Sequence, residues 1–144
     1  MQFDPANNIV KLCAQGINLE GQGKIGESFM TFQKAWEEPT NDVEKFISAH
    51  YVARGQKSIA DRLHWDKIAL EFALKLKDEA VKSNFPSLYL NIAKCYEEMK
   101  DFKNAKANYL LAFSFSNSLP IDGYGRMIKS GIASGIERIS IADV

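Results

Sequence analysis

Three glycines within ten residues are the first feature of the chain that would do chemistry. In LEGQGKIGES, residues 19–28, Gly21, Gly23 and Gly26 spell G-x-G-x-x-G. Glycines at this spacing let backbone amides approach a pyrophosphate, on condition that a strand precedes them and a helix begins after them. Further along, Asn84, Phe85, Pro86 and Ser87 form a second short run with a polar residue at each end. His50 and Arg54 stand one helical turn apart beside Tyr51 and offer a polar anchor. The alternative for that pair is a histidine satisfied by core hydrogen bonds and an arginine in a structural ion pair. His64 next to Trp65 has the pieces of a metal site or an aromatic cage, against a reading as plain packing. Cys13 and Cys95 lie far apart with no C-x-x-C and no clustered histidine, so neither a zinc site nor a redox dithiol is indicated, and each is expected in the core.

The elements that must position these residues come from a chain of 144 residues, enough for one domain that buries roughly two-thirds of its unfolded surface. With 46% hydrophobic, 11% aromatic and 25% charged residues it has globular composition. Eighteen basic residues offset eighteen acidic ones without a run of five like charges, which argues against a nucleic-acid partner. Apolar runs such as NYLLAFSF fall far short of the roughly 20 residues that span a bilayer, and MQFDPANN has no signal pattern. A cytoplasmic protein with no membrane contact is expected.

Apolar spacing of three and four predicts helices throughout and no strand. Asp4 with Pro5 reads as a cap and first turn for a helix through Ile9, Leu12, Cys13, Gly16, Ile17 and Leu19. A second runs from Ile25 to Trp36, and a third, capped by Asn41 or Asp42, ends at Gly55. Ser58 and Asp61 resemble a capping box for a fourth, Pro86 opens a fifth, and Asp101 caps a sixth. A seventh begins near Pro120 and presents Tyr124, Met127, Ile128, Ile132, Ile136 and Ile139 as one apolar stripe. The turn IDGYG before it suits either a helix entry or a functional loop.

Two windows of the chain repeat each other. Leu12, Gly16, Leu19, Ser28, Phe32 and Ala35 have the same spacing as Tyr89, Ala93, Tyr96, Ala105, Tyr109 and Ala112. This pattern resembles the tetratricopeptide repeat, a helix-turn-helix unit of about 34 residues. The distance from Gly16 to Ala93 exceeds two such units, so an irregular middle unit is expected, with its insertion within GQKSIADRLHW. The resulting arrangement is an all-α superhelix: repeat 1 over about 9–42, repeat 2 over 43–85, repeat 3 over 86–119, and a capping helix over 120–142. Gly131 and Ser134 or Gly135 are the residues that would let that last helix approach closely. AHYVARGQ, LHWDKIALE, PSLYLNIAKCYEEM and LPIDGYGRMIKSGIASGIER further resemble a small bacterial three-repeat subgroup of the same family.

The resemblance implies a concave groove, lined by the first helix of each hairpin, that holds an extended peptide or a helix. The matching positions are Val10, Cys13, Ile17 and Glu20 in the first repeat and Ser87, Leu90, Asn91, Lys94 and Glu98 in the third; the middle unit has no fixed register, and His50, Tyr51 and Arg54 join the candidate groove residues through their helical spacing alone. Asn91 matches an asparagine that bonds the peptide backbone in many relatives. Cys13 and Ile17 stand where a two-carboxylate clamp has Lys and Asn, which argues against chaperone C-terminal tails as clients. The implied function is protein or peptide binding, with no catalytic residue, cofactor or metal. A rival reading rests on LEGQGKIG, which resembles the S-adenosylmethionine loop of rRNA adenine dimethyltransferases. There Leu19 and Glu20 would end a strand, and NFPS would stand for that family's N-x-P-aromatic motif with Ser87 in place of the aromatic. A third reading is a homodimer formed through the groove or the last helix.

Overall fold

Helices start where a side chain accepts the first, otherwise unpaired backbone amides. The computed structural model describes residues 4–77 and 79–142. Among these are seven α-helices and no strand: α1 (Asn8–Gly21), α2 (Ile25–Glu37), α3 (Asp42–Arg54), α4 (Ile59–Leu74), α5 (Phe85–Glu98), α6 (Phe102–Ser114) and α7 (Gly123–Ala142). Short 3-10 segments cover Glu79–Asn84 and Ser116–Ser118.

Asn41 caps α3 by accepting from the Glu44 amide at 2.9 Å, Ser58 caps α4 through Asp61 at 3.0 Å, and Asp101 caps α6 through Asn104 at 3.3 Å. Pro86 stands in the first turn of α5 as expected. The first helix departs from expectation. Asp4 closes a separate turn by accepting from the Ala6 amide, and α1 begins only after Asn7, whose side chain accepts from Ile9 and Val10 at 2.8 and 3.1 Å.

The repeat is regular in its hairpins. α1, α3 and α5 begin at Asn8, Asp42 and Phe85, and their partners α2, α4 and α6 begin at Ile25, Ile59 and Phe102, so the start-to-start spacing is the same in all three. α3 follows α2 at that same spacing, whereas α5 starts later than it would by the same rule after α4. The additional residues therefore lengthen α4 and fill the stretch after it that holds Glu79–Asn84, and do not lie within GQKSIADRLHW, where sequence spacing alone puts them. That segment is a short turn and the start of α4.

Counting from the helix starts exposes what each hairpin puts at its crossing. The eighth residue onward is Gly16, His50 and Ala93; in the partner helices the seventh onward is Phe32, Asp66 and Tyr109, and the tenth is Ala35, Ala69 and Ala112. All three of those alanines are fully buried. A Cβ at Gly16 would run into the Phe32 ring, so this glycine is what lets α1 and α2 approach. Ser28, which stands where the pattern has alanine, is also buried and donates its hydroxyl to the Gly16 carbonyl at 2.8 Å.

The glycine loop is the end of α1. The Lys24 amide donates to the Leu19 carbonyl at 2.9 Å and the Gly23 amide to Glu20 at 3.0 Å, with Gly23 at φ 78°. These two bonds are the Schellman closure of a helix C-terminus. The same pair recurs after α5, from Asp101 to Tyr96 and from Lys100 to Glu97, both at 2.9 Å. A helix, not a strand, precedes the glycines, so the cofactor-loop geometry required by the methyltransferase reading is absent.

The helices form two compact units, one ending at Leu76 and one beginning at Lys77. In the first, α1 packs on α2, α3 packs on α4, and α3 also meets α1 and α2. Its core includes Ile9, Cys13, Phe32, Phe46, Val52 and Leu63. In the second, α5 packs on α6 and α7 lies against both. Gly131 faces Leu90, and a Cβ at Gly135 would strike the Tyr109 ring. Of the expected α7 stripe, Ile128, Ile132 and Ile139 are buried, while Tyr124 and Met127 are exposed because the helix turns that edge away from α5 and α6. IDGYG is a helix entry: Asp122 accepts from the Gly125 amide at 2.8 Å, and a Cβ at Gly125 would collide with the Pro120 carbonyl.

Candidate functional site

In the first unit, the polar residues singled out by sequence on α3 meet partners on α1 and α2. Arg54 donates from Nη2 and Nε to the Glu20 carboxylate at 2.7 and 3.3 Å. Tyr51 stacks on Phe32 with ring centroids 5.4 Å apart, and the His50 ring meets Tyr51 edge-on at 5.2 Å. Arg54 thus joins the structural ion pair that is its alternative reading. His50 differs from its alternative: its Nδ1 is buried with no hydrogen-bond partner among the described residues. Burial, then the Arg54 charge, holds its pKa below the usual histidine value.

Along α1, Val10 is half-buried, Cys13 is buried, Ile17 is exposed and Glu20 is taken by Arg54. Burial pushes the Cys13 thiol up to about 12, so it is a neutral packing atom at neutral pH. Trp65 meets Trp36 edge-on at 5.0 Å and is a packing residue between α2 and α4, with exposed His64 at its edge. Among the described residues no group of three or more His, Cys, Asp or Glu is arranged to hold a metal.

In the second unit the arrangement is different. Ser87, Asn91, Lys94 and Glu98 follow one another at steps of four, three and four, a single row along α5. Ser87 and Asn91 are half-buried and Lys94 and Glu98 exposed. Ser87 donates to the Asn84 carbonyl at 3.0 Å, while the Asn91 amide makes no hydrogen bond among the described residues. Leu90 is apart from this row: it is 3% exposed, against Gly131 of α7, and serves the α5–α7 packing. One turn on, Glu97 accepts from the Tyr109 hydroxyl at 2.6 Å and from Arg138 at 2.9 and 3.1 Å. Arg138 first, then Tyr109 and the Lys94 charge among others, outweigh partial burial and hold the Glu97 carboxyl below its usual value. Sequence spacing does not reveal this network, because its members lie 12 and 41 residues apart.

No protein-family profile matches the chain. No curated protein matches it either. Among solved structures it is similar to PcrH from Pseudomonas aeruginosa, with a TM-score of 0.60 over 96% of each chain and 16% sequence identity. At that identity the likeness speaks to the fold, which is the all-α helical-repeat fold of tetratricopeptide type. No helix among the described residues is long and apolar enough to cross a membrane.

Proposed function

We propose that the chain is a non-catalytic scaffold that binds a protein or peptide in the cytoplasm, the role that the resemblance to the tetratricopeptide family implies. The observation that carries the reading is the contrast between the two first-helix faces. Arg54 and Glu20 are paired with each other and Tyr51 is stacked on Phe32, whereas the α5 row presents Asn91 with its amide unbonded and Lys94 exposed. A side-chain amide with both donor and acceptor free matches the alternating donors and acceptors of an extended peptide backbone. Lys94 adds a preference for a carboxylate on that peptide.

The test is affinity capture from the native host with the wild-type chain and with Asn91→Ala/Lys94→Ala, compared by quantitative mass spectrometry. A partner captured by the wild type and lost from the double variant, whose melting temperature stays unchanged, supports the row. A partner retained equally by both overturns it. Saturable heat on titration with S-adenosylmethionine would overturn the non-catalytic reading as a whole.

A further inference from the structure

The repeat itself identifies an unfilled place on the second unit. In the first unit α4 packs against α3 and reaches α2, where Trp36 lies edge-on to Trp65 at 5.0 Å and 6.3 Å from Phe72. Trp36 is eleven positions beyond the start of α2, and the position eleven beyond the start of α6 is Phe113. Phe113 is 61% exposed. It lines, with Leu110 of α6 and Lys129, Ala133 and Ile136 of α7, a groove of about 650 Å³. Among the described residues no helix packs on α6 and α7 in the way that α4 packs on α2 and α3.

We infer that this groove receives an amphipathic helix of a partner protein, with acidic residues flanking its apolar face. What fits is set by the occupant of the equivalent place: α4 presents Trp65 and Phe72, two turns apart on one face. Charge sets the sign of the flanks. Lys103 and Lys106 precede Leu110 by seven and four positions on the same α6 row, and Arg126 and Lys129 precede Ala133 by seven and four on α7. All four are exposed, and Glu137 is the one acidic residue on these two rows. Asp101 and Asp122, beside the helix starts, are bonded to Asn104 and to the Gly125 amide. A second copy meeting this face with its own would bring basic rows together, which disfavours self-pairing.

The groove is distinct from the α5 row, so its test is independent. The probe is a fluorescein-labelled peptide of residues 58–76 of this chain with Lys67→Glu and Lys75→Glu, followed by fluorescence anisotropy. Saturable binding is expected, weakened roughly tenfold or more by Phe113→Ser and by raised salt. The peptide lacking Trp65 and Phe72, both changed to Ser, is expected not to bind. Lys106→Glu/Lys129→Glu should reverse the preference, favouring the peptide with its lysines restored. Since Phe113, Lys106 and Lys129 are exposed, unchanged helical circular dichroism of the variants is expected and confirms that a loss is local. Absence of saturable binding, or equal binding by Phe113→Ser, overturns the inference. So does light scattering that finds a wild-type dimer made monomeric by Phe113→Ser, because the groove then holds a second copy.

Discussion

Lys100 holds the same place in the α5–α6 turn that Gly23 holds in the α1–α2 turn, and both have positive φ, 61° and 78°. Each lies just past a helix whose last carbonyls are closed by the same pair of backbone bonds. The left-handed conformation costs a side-chain-bearing residue roughly 1–2 kcal/mol, partly offset by the entropy that glycine loses on folding. Lys100→Gly should therefore stabilise the protein by about 0.5–1 kcal/mol, and Gly23→Ala should destabilise it by about 1 kcal/mol. Urea titrations followed by circular dichroism check both signs. A loss of stability in Lys100→Gly would mean that the lysine side chain contributes more than its backbone strain costs.

Gly135 and Gly26 make a matched comparison. Both are helical, and alanine ordinarily gains about 0.5–1 kcal/mol over glycine in a helix interior. At Gly26 a Cβ meets nothing within 4 Å, so Gly26→Ala should gain part of that amount. At Gly135 the Cβ would enter the Tyr109 ring, which is fully buried and held by Glu97 and Arg138. Overpacking of about 1–3 kcal/mol should win there, making Gly135→Ala destabilising. Opposite shifts in the two thermal midpoints are the expected result.

These positions also show what was legible in the sequence. The hairpins were readable because Gly16, Phe32 and Ala35 repeat as Ala93, Tyr109 and Ala112, and small-large pairs at a crossing leave a periodic trace. The middle unit was obscure because His50 and Asp66 occupy the places of Gly16 and Phe32, leaving Ala69 as the shared residue. With no register, the extra residues of that unit could not be placed. At the candidate site, helical spacing exposed the Ser87, Asn91, Lys94 and Glu98 row. It did not reveal that Leu90 is claimed by Gly131, or that Arg54 is bound by Glu20, since those contacts depend on partners on other helices far along the chain.

The Tyr109, Glu97 and Arg138 network makes stability depend on pH at both extremes. Glu97 has a folded pKa below 4.5, so its contribution is present above that value and is lost as the pH falls through the lower folded one. Burial, reinforced by the hydrogen bond to Glu97, pushes Tyr109 up to about 12 from 10.0, so its contribution is complete below pH 10 and is lost between 10 and about 12. Glu97→Gln should flatten the acid limb of a melting-temperature profile, and Tyr109→Phe the alkaline limb. Tyr109→Phe should also cost about 1 kcal/mol near neutrality, the worth of one hydrogen bond. An alkaline limb that persists in Tyr109→Phe would assign it to another group.

Cys13 and Cys95 are both 2% exposed, and the Cys13 thiol is held at about 12 by burial. Thiol reagents attack the thiolate, so neither residue should react in the folded protein. Ellman's reagent should release colour only as denaturant unfolds the chain, with two equivalents at the end. Rapid labelling of Cys13 in native buffer would place that face of α1 in solvent and reopen it as a binding surface.

His50 gives the test nearest to neutral pH. The folded protein resists protonating it, chiefly because it is buried and then because Arg54 lies near, whereas the unfolded chain takes up the proton close to pH 6.5. A depressed folded pKa means stability that is present above 6.5 and declines as the pH falls below it. His50→Gln should remove that slope while leaving the acid limb of Glu97 in place. Arg54→Gln, which deletes the smaller of the two causes, should move the His50 ring resonances toward ordinary titration in a proton NMR series. Two findings would each show that the unpartnered Nδ1 is more accessible than its burial implies: a ring that titrates at 6.5 or above in the wild type, or an unchanged stability slope in His50→Gln.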